Sequence, residues 1–160
     1  MDAKAIWNQD MSFTGSATSG FKLPLDADTG SGGADSGFRP LELLAIGLAG
    51  CTAMDVISVI RKKRQDVTAF EVRVAARQQD VHPHVFTTAQ IIYQVTGHKV
   101  DEAAVLRAIE LSALQYCSAQ AMLSKAFPME LMYEIYEDLG NGETQLVKQG
   151  QWKPPAGSAG

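Results

Sequence analysis

A long apolar segment, residues 39 to 64, limits the folds that this sequence can adopt. It reads RPLELLAIGLAGCTAMDVISVIRKKR, apolar nearly all round and basic at its end. Pro40 suits the first helical position, because its ring fixes φ and its missing N–H would have no intrahelical partner there. The segment therefore predicts one long helix, buried on most sides, that carries Cys51 near its centre. Gly47 and Gly50 lower helix propensity, so we expect them to allow close packing against another element.

The composition favours a single globular domain. The chain has 160 residues, 46% of them hydrophobic, which is enough for a buried core. A net charge of -4 and a pI near 5.3 argue against a nucleic acid as partner. Glycines and charged residues interrupt the long apolar segment, so we expect no membrane span. Because the chain starts without an apolar stretch of signal-peptide length, we expect a cytoplasmic protein with free thiols.

Strand patterns flank the long helix on both sides. Two short strands are predicted within residues 4 to 25. The Gly- and Ser-rich residues 26 to 38 are expected to form a mobile connector, with a lid over a substrate as the alternative. After the helix, residues 66 to 79 and 87 to 96 alternate between apolar and polar side chains and predict an antiparallel hairpin.

The second half of the chain predicts two more helices and a last strand. Asp101 is expected to cap a helix, and Ser118 to cap a second, short one. Residues 127 to 138 alternate as a strand, which gives the order β-β-α-β-β-α-(α)-β and an α+β fold class. We expect one domain over residues 1 to 139, and a partly disordered tail over residues 140 to 160.

The two cysteines are the candidate functional groups. Cys51 and Cys117 are each predicted on or beside a helix, and a thiol pair brought together can cycle between a sulfenic acid and a disulfide. The alternative is that both are small buried hydrophobic residues. Asp55 shares the helix face of Cys51 and would disfavour its thiolate, whereas Glu42 falls on the opposite face. Any activator of Cys51 must therefore come from another segment or another chain.

A His-x-His pair is the only other candidate for metal chemistry. His82 and His84 have acceptable spacing for metal ligands, but Pro83 separates them and no second Cys/His pair accompanies them. We interpret them as surface residues and expect neither a metal nor a cofactor. The sequence also lacks a phosphate-binding loop of the P-loop or dinucleotide-binding form.

Two segments together resemble one known family. Residues 39 to 64 are similar to the central-helix signature of the OsmC/Ohr family (osmotically inducible protein C and organic hydroperoxide resistance protein). The closer match is the OsmC-like subgroup, with Pro-x-Glu-Leu-Leu followed by Gly-Cys-Thr-x-x-Asp-Val. The segments HPHVFTTAQIIYQVTG and AIELSALQYCSAQAML resemble that subgroup's hairpin and second-cysteine helix. The matches cover about residues 39 to 135.

The resemblance implies both a fold and a function. The implied fold is α+β, with antiparallel sheets wrapped around a central buried helix in an intertwined homodimer. The implied function is a thiol peroxidase of the oxidative stress response, in which Cys51 attacks an organic hydroperoxide and Cys117 resolves the sulfenic acid. A dithiol such as a lipoyl group would then restore the thiols. Arg39 and Glu42 are the charged residues that this resemblance adds to the catalytic site.

The sequence departs from the hydroperoxide-resistance branch at three positions. That branch has its helix glutamate where this chain has Leu41, and it uses an arginine from the N-terminal sheet, whereas no arginine precedes Arg39 here. Ser118 replaces the proline that commonly follows the second cysteine. Lys22, Arg39 or a residue of a partner chain stays open as the activator of Cys51. The alternative hypothesis is a non-catalytic OsmC-like protein that binds a small apolar ligand in the cleft of the dimer.

Overall fold

The computed structural model describes residues 1 to 154, and the chain divides into two compact units, Met1–Ile46 and Gly47–Gly160. The first unit contains an antiparallel sheet in the order β1-β2-β3, formed by Ala3–Gln9, Ser12–Ala17 and Lys22–Leu25. Sequence analysis predicted only two strands here, because the small polar residues of β2 favour a turn. Pairing with a strand on each side overrides that weak local preference.

One buried carboxylate ties the loop that follows β3. Asp26 is 4% exposed, and its oxygens accept hydrogen bonds from the backbone N–H groups of Ala27, Ala34 and Ser36 and from the Ser36 hydroxyl. The Ser36 hydroxyl contributes most to lowering the pKa of Asp26 to about 2. A connector that sequence analysis expected to be mobile is thus held by several hydrogen bonds to one side chain.

The predicted long helix is confirmed as α1, Pro40–Lys62. It begins with a contact of the capping-box type, in which the N–H of Arg39 donates to Oε2 of Glu42 at 2.9 Å. Its buried residues form a single stripe at four-residue spacing, namely Leu48, Thr52, Val56 and Ile60. The expectation of a helix buried on most sides is therefore wrong for one chain, because only this stripe of α1 is buried.

By length and composition alone, α1 is apolar enough to cross a membrane. The glycines and charged residues that interrupt the segment therefore do not rule out a membrane span, although sequence analysis had expected them to. A core helix of a water-soluble protein passes the same test, and the buried stripe of α1 contributes to the hydrophobic core of the second unit. The absence of a membrane partner and the cytoplasmic location stay predictions.

The second unit is built on a four-stranded sheet in the order β4-β5-β6-β7, formed by Asp66–Gln78, Phe86–His98, Met129–Gly140 and Glu143–Trp152. The antiparallel hairpin of β4 and β5 is confirmed. The expectation of antiparallel pairs throughout is wrong, because β5 and β6 are parallel. A helical connection between them returns the chain to the same end of the sheet, as parallel pairing requires.

That connection contains α2, Glu102–Leu111, a π-helical turn at Ser112–Tyr116, and α3, Ser118–Leu123. Asp101 caps α2 as predicted, with its side chain accepting from the N–H of Ala103 at 3.1 Å. The core of the unit draws on α1, β5, α2 and β6. The α+β class predicted from the element order is confirmed.

Strand β7 corrects the predicted domain end and tail. Residues 143 to 152 pair with β6 along the sheet edge, whereas sequence analysis expected a tail from residue 140. The side chains of this edge strand are mostly polar and exposed, so its sequence lacks the apolar alternation that predicts a strand. It forms a strand because it pairs with β6. Gly150 fits there because a Cβ would lie 2.6 Å from the Tyr133 hydroxyl. The predicted disorder of residues 155 to 160 lies outside the described residues.

Candidate functional site

Two thiols and a carboxylate meet within the second unit. The sulfurs of Cys51 and Cys117 and a carboxylate oxygen of Asp55 all lie within 4.8 Å of one another. Cys51 and Asp55 project from α1 one turn apart, and Cys117 sits at the junction of the π-helical turn and α3. Cys51 is half-buried and Cys117 is buried, and neither forms a disulfide. The structure therefore brings together the two cysteines that sequence analysis singled out.

Cys117 itself caps α3, a position that sequence analysis had assigned to Ser118. The backbone of Cys117 is extended at φ -75° and ψ 98°, and its Sγ accepts a hydrogen bond from the N–H of Gln120 at 3.3 Å. The helix thus starts one residue earlier than expected, since the sulfur takes the place of a capping oxygen. The adjacent Gln120 is buried, and its Oε1 has no hydrogen-bond partner among residues 1 to 154.

A chain of buried hydroxyl groups leads to Asp55. The Tyr93 hydroxyl lies 2.7 Å from Oγ1 of Thr52, which lies 2.8 Å from Oγ of Ser112. Ser112 donates to Oδ2 of Asp55 at 3.1 Å. Because each hydroxyl has a single proton, Thr52 must donate to Ser112, and Tyr93 must donate to Thr52. All the protons of this hydroxyl chain therefore point towards the carboxylate beside the thiols.

The surroundings of Cys117 favour its neutral form. Burial raises the pKa of the Cys117 thiol to about 12, with further increases from the Cys51 side chain and the Asp55 carboxylate, against the opposing N–H of Gln120. Burial likewise raises the pKa of Tyr93, despite the hydrogen bond from its hydroxyl to Thr52. A protonated Tyr93 agrees with its place as the donor at the start of the hydroxyl chain.

Arg39 and Glu42 have local partners at the start of α1. The guanidinium of Arg39 donates to the carbonyl oxygen of Gly37 at 3.0 Å and forms an ion pair with Asp35. The carboxylate of Glu42 accepts from the N–H of Arg39. Both residues belong to the first unit, so their assignment to the site of the second unit stays a prediction.

The His-x-His pair does not form part of a larger cluster. His82 and His84 lie side by side, with ring centroids 4.2 Å apart, and Nδ1 of His84 is 3.0 Å from the carbonyl oxygen of Gln79. Within residues 1 to 154, the thiol-carboxylate cluster alone groups three possible metal ligands. His82 is exposed and His84 is half-buried, so the interpretation as a surface residue fits His82 better than His84.

Sequence analysis missed the hydroxyl chain. Thr52 interrupts the apolar stripe of α1, and a polar residue at such a position signals a buried hydrogen-bond partner. Tyr93 and Ser112 gave no comparable signal, because tyrosine alternates normally in a strand and serine is common near a helix end. Only the packing of three elements shows that their hydroxyl groups meet.

The fold and the site define an α+β protein with two neighbouring free cysteines, one on a long helix and one at the start of a short helix. Comparison with known proteins identifies its family. The model described as "OsmC-like protein" matches residues 32–132. Protein YhfA of Escherichia coli (strain K12) is 36% identical over 135 residues, which span 84% of this chain and 98% of that protein. The chain belongs to the OsmC-like family, and the resemblance seen in the sequence is confirmed.

Solved structures share the fold. An OsmC-like protein from Mycoplasma pneumoniae has a TM-score of 0.71 at 18% identity, covering 84% of this chain and 95% of that one. An organic hydroperoxide resistance protein from Elizabethkingia anophelis has a TM-score of 0.61 at 17% identity, covering 85% of this chain and 94% of that one. At these identities the likeness concerns the fold alone.

Proposed function

We propose that this protein is a thiol-dependent peroxidase that reduces organic hydroperoxides, with Cys51 as the peroxidatic thiol and Cys117 as the resolving thiol. The observation that carries the proposal is the proximity of the two sulfurs, within 4.8 Å, in an OsmC-like fold. A disulfide needs a sulfur separation of about 2.05 Å, so the two sulfurs must move closer before the bond can form. A role in the oxidative stress response follows from this chemistry.

The difference in exposure supports the proposed roles of the two cysteines. Cys51 is half-buried and accessible to a hydroperoxide, whereas Cys117 is 2% exposed and is shielded from solvent by the residues around it. The Cys51 thiolate attacks the distal peroxide oxygen, the O–O bond breaks, and the alkoxide leaves as an alcohol after taking a proton. The Cys117 sulfur then attacks the sulfenic sulfur, which forms the disulfide and releases water.

A dithiol must complete the cycle. It reduces the disulfide to two thiols and becomes a cyclic disulfide itself, so that electrons and protons balance. A lipoyl group is the dithiol that we propose. Arg39 and Glu42 belong to the proposal as the residues that would bind and polarise the hydroperoxide, and Arg39→Ala should therefore slow the first step more than the second.

We also propose a homodimer built on α1. Outside its buried stripe the helix presents apolar surface, with Met54 73% exposed. A Cβ at Gly47 or Gly50 would meet no atom within 4 Å, so these glycines leave room for the close approach of a second helix. Apolar faces of this kind are normally covered in obligate dimers.

The test is a single-turnover reaction of the reduced protein with cumene hydroperoxide, followed by peptide mapping. We expect a Cys51–Cys117 disulfide in the wild type, a trappable sulfenic acid on Cys51 in Cys117→Ser, and neither in Cys51→Ser. Cys117→Ser should consume one equivalent of hydroperoxide and then stop. A wild-type protein without the disulfide, together with an unchanged rate for Cys51→Ser, would sink the proposal.

The alternative is a non-catalytic protein that binds a small apolar ligand in the dimer cleft. Asp55 favours it, because its carboxylate lies beside both sulfurs and adds to burial in raising the pKa of the Cys117 thiol. A slow thiol together with a small molecule that copurifies with the protein would support this function. A fast thiol in a ligand-free protein would count against it.

A further inference from the structure

The thiol-carboxylate cluster of Cys51, Asp55 and Cys117 has the composition of a metal site. We propose that this cluster, in its reduced form, binds Zn²⁺ through both sulfurs and the carboxylate, with a water molecule as fourth ligand. This differs from the expectation drawn from the sequence, which foresaw no metal. It is also independent of hydroperoxide chemistry, since it requires only the three side chains.

The ligand set and its spacing fit zinc. Sites with three protein ligands and an open fourth position are typical of accessible zinc ions, and sulfur with one oxygen is a suitable donor set. With bond lengths of about 2.3 Å to sulfur and about 2.0 Å to oxygen, a tetrahedral ion holds its ligand atoms roughly 3.5–3.8 Å apart. The present atoms lie within 4.8 Å of one another, so side-chain rotation and closure by about 1 Å would bring them to the ion.

The groups around the ligands already orient them. Ser112 donates to one carboxylate oxygen of Asp55, and the N–H of Gln120 points at the Cys117 sulfur. Such outer-shell contacts typically accompany metal ligands. Within residues 1 to 154, no lysine, arginine or histidine forms an ion pair with Asp55, so its carboxylate has no competing cation, and the two thiols become anionic ligands only when an ion displaces their protons.

An ion can reach the cluster from solvent. Cys51 and Asp55 are both half-buried, which leaves a route to the buried Cys117. Binding displaces one proton from each thiol and transfers no electron. The ion is then held by two thiolates and one carboxylate. The disulfide form has no thiolate to offer, so oxidation of the pair must release the metal. Bound zinc would in turn mask Cys51 from electrophiles.

The experiment is an anaerobic titration of the reduced, metal-free, full-length protein with Co²⁺, followed by displacement with Zn²⁺. We expect one ion per chain, a sulfur-to-cobalt charge-transfer band in the near ultraviolet, and visible bands of tetrahedral intensity that Zn²⁺ abolishes. Cys51→Ser and Cys117→Ser should each weaken the charge-transfer band and the affinity, and Asp55→Asn the affinity. Ser112→Ala, which frees the carboxylate, should bind roughly tenfold more weakly.

The matched control is the double variant His82→Ala/His84→Ala, which removes the other pair of potential ligands. It should bind as the wild type does, and a loss of binding would move the ion to the histidines and overturn the proposal. Wild-type protein alkylated at Cys51 should lose the site. Cobalt spectra without a sulfur band, or binding unchanged by alkylation, would equally refute it.

Discussion

Thr52→Val is a direct test of the hydroxyl chain beside the thiols. Thr52 is fully buried, and its hydroxyl lies 2.7 Å from the Tyr93 hydroxyl and 2.8 Å from Oγ of Ser112. Valine keeps the branched shape of threonine but removes both hydrogen bonds. The Tyr93 hydroxyl, in a residue that is 0% exposed, then has no acceptor within the described hydroxyl chain.

The magnitude follows from these contacts. Leaving one buried donor unsatisfied costs about 1–3 kcal/mol, and the lost hydrogen bond to Ser112 costs about 1 kcal/mol more. The added methyl group of valine offsets about 0.8 kcal/mol by burial. We therefore expect Thr52→Val to lower the free energy of unfolding by about 2 kcal/mol. Tyr93→Phe removes the donor itself, so Thr52→Val should cost less in that background, with a coupling of about 1 kcal/mol.

The assay is urea unfolding of the four proteins of this double-mutant cycle at one protomer concentration, because the proposed dimer would make stability depend on concentration. Equal m values would show that the variants unfold from comparable states. A loss below about 0.5 kcal/mol for Thr52→Val, which is within the range of ordinary surface substitutions, would refute the hydroxyl chain. Strictly additive effects in the double variant would refute the contact between the two hydroxyl groups.

Three further predictions concern charge and assembly. Asp55→Asn should lower the pKa of the Cys117 thiol, which the carboxylate helps to raise, while burial keeps it above its usual range; the pH dependence of Cys117 alkylation in a Cys51→Ser background measures this. The pKa of Asp26 falls from 3.8 to about 2 on folding, so its stabilising contribution is present above pH 4 and lost towards pH 2. Asp26→Asn should therefore flatten the dependence of the urea midpoint on pH in that window. Met54→Lys places a charge on the exposed face of α1 and should shift the mass measured by analytical ultracentrifugation from dimer to monomer; a wild-type monomer at micromolar concentration would contradict the dimer.

Local patterns were sufficient for the strongly periodic elements. Helix α1, the β4–β5 hairpin and the cap at Asp101 follow from apolar spacing and side-chain chemistry that act within a few residues. Strand β7 and the parallel pairing of β5 with β6 do not, because both depend on a partner strand that is distant in sequence. Sequence analysis placed the cap of α3 at Ser118 and not at Cys117. The reason is different, since cysteine rarely caps a helix.

The sequence by itself determined the family and the two cysteines, because the motif around Cys51 and the segment around Cys117 are continuous in the chain. It also placed Asp55 on the helix face of Cys51, since helical spacing is local. Only the tertiary structure decided that Cys117 joins them, and that Tyr93, Thr52 and Ser112 direct their protons towards the carboxylate. These contacts link residues that are far apart in sequence, and they arise when α1, β5 and the helical connection bury their faces against one another. The groups that surround Cys51 are therefore determined by tertiary packing, and they cannot be predicted from the sequence of α1 alone.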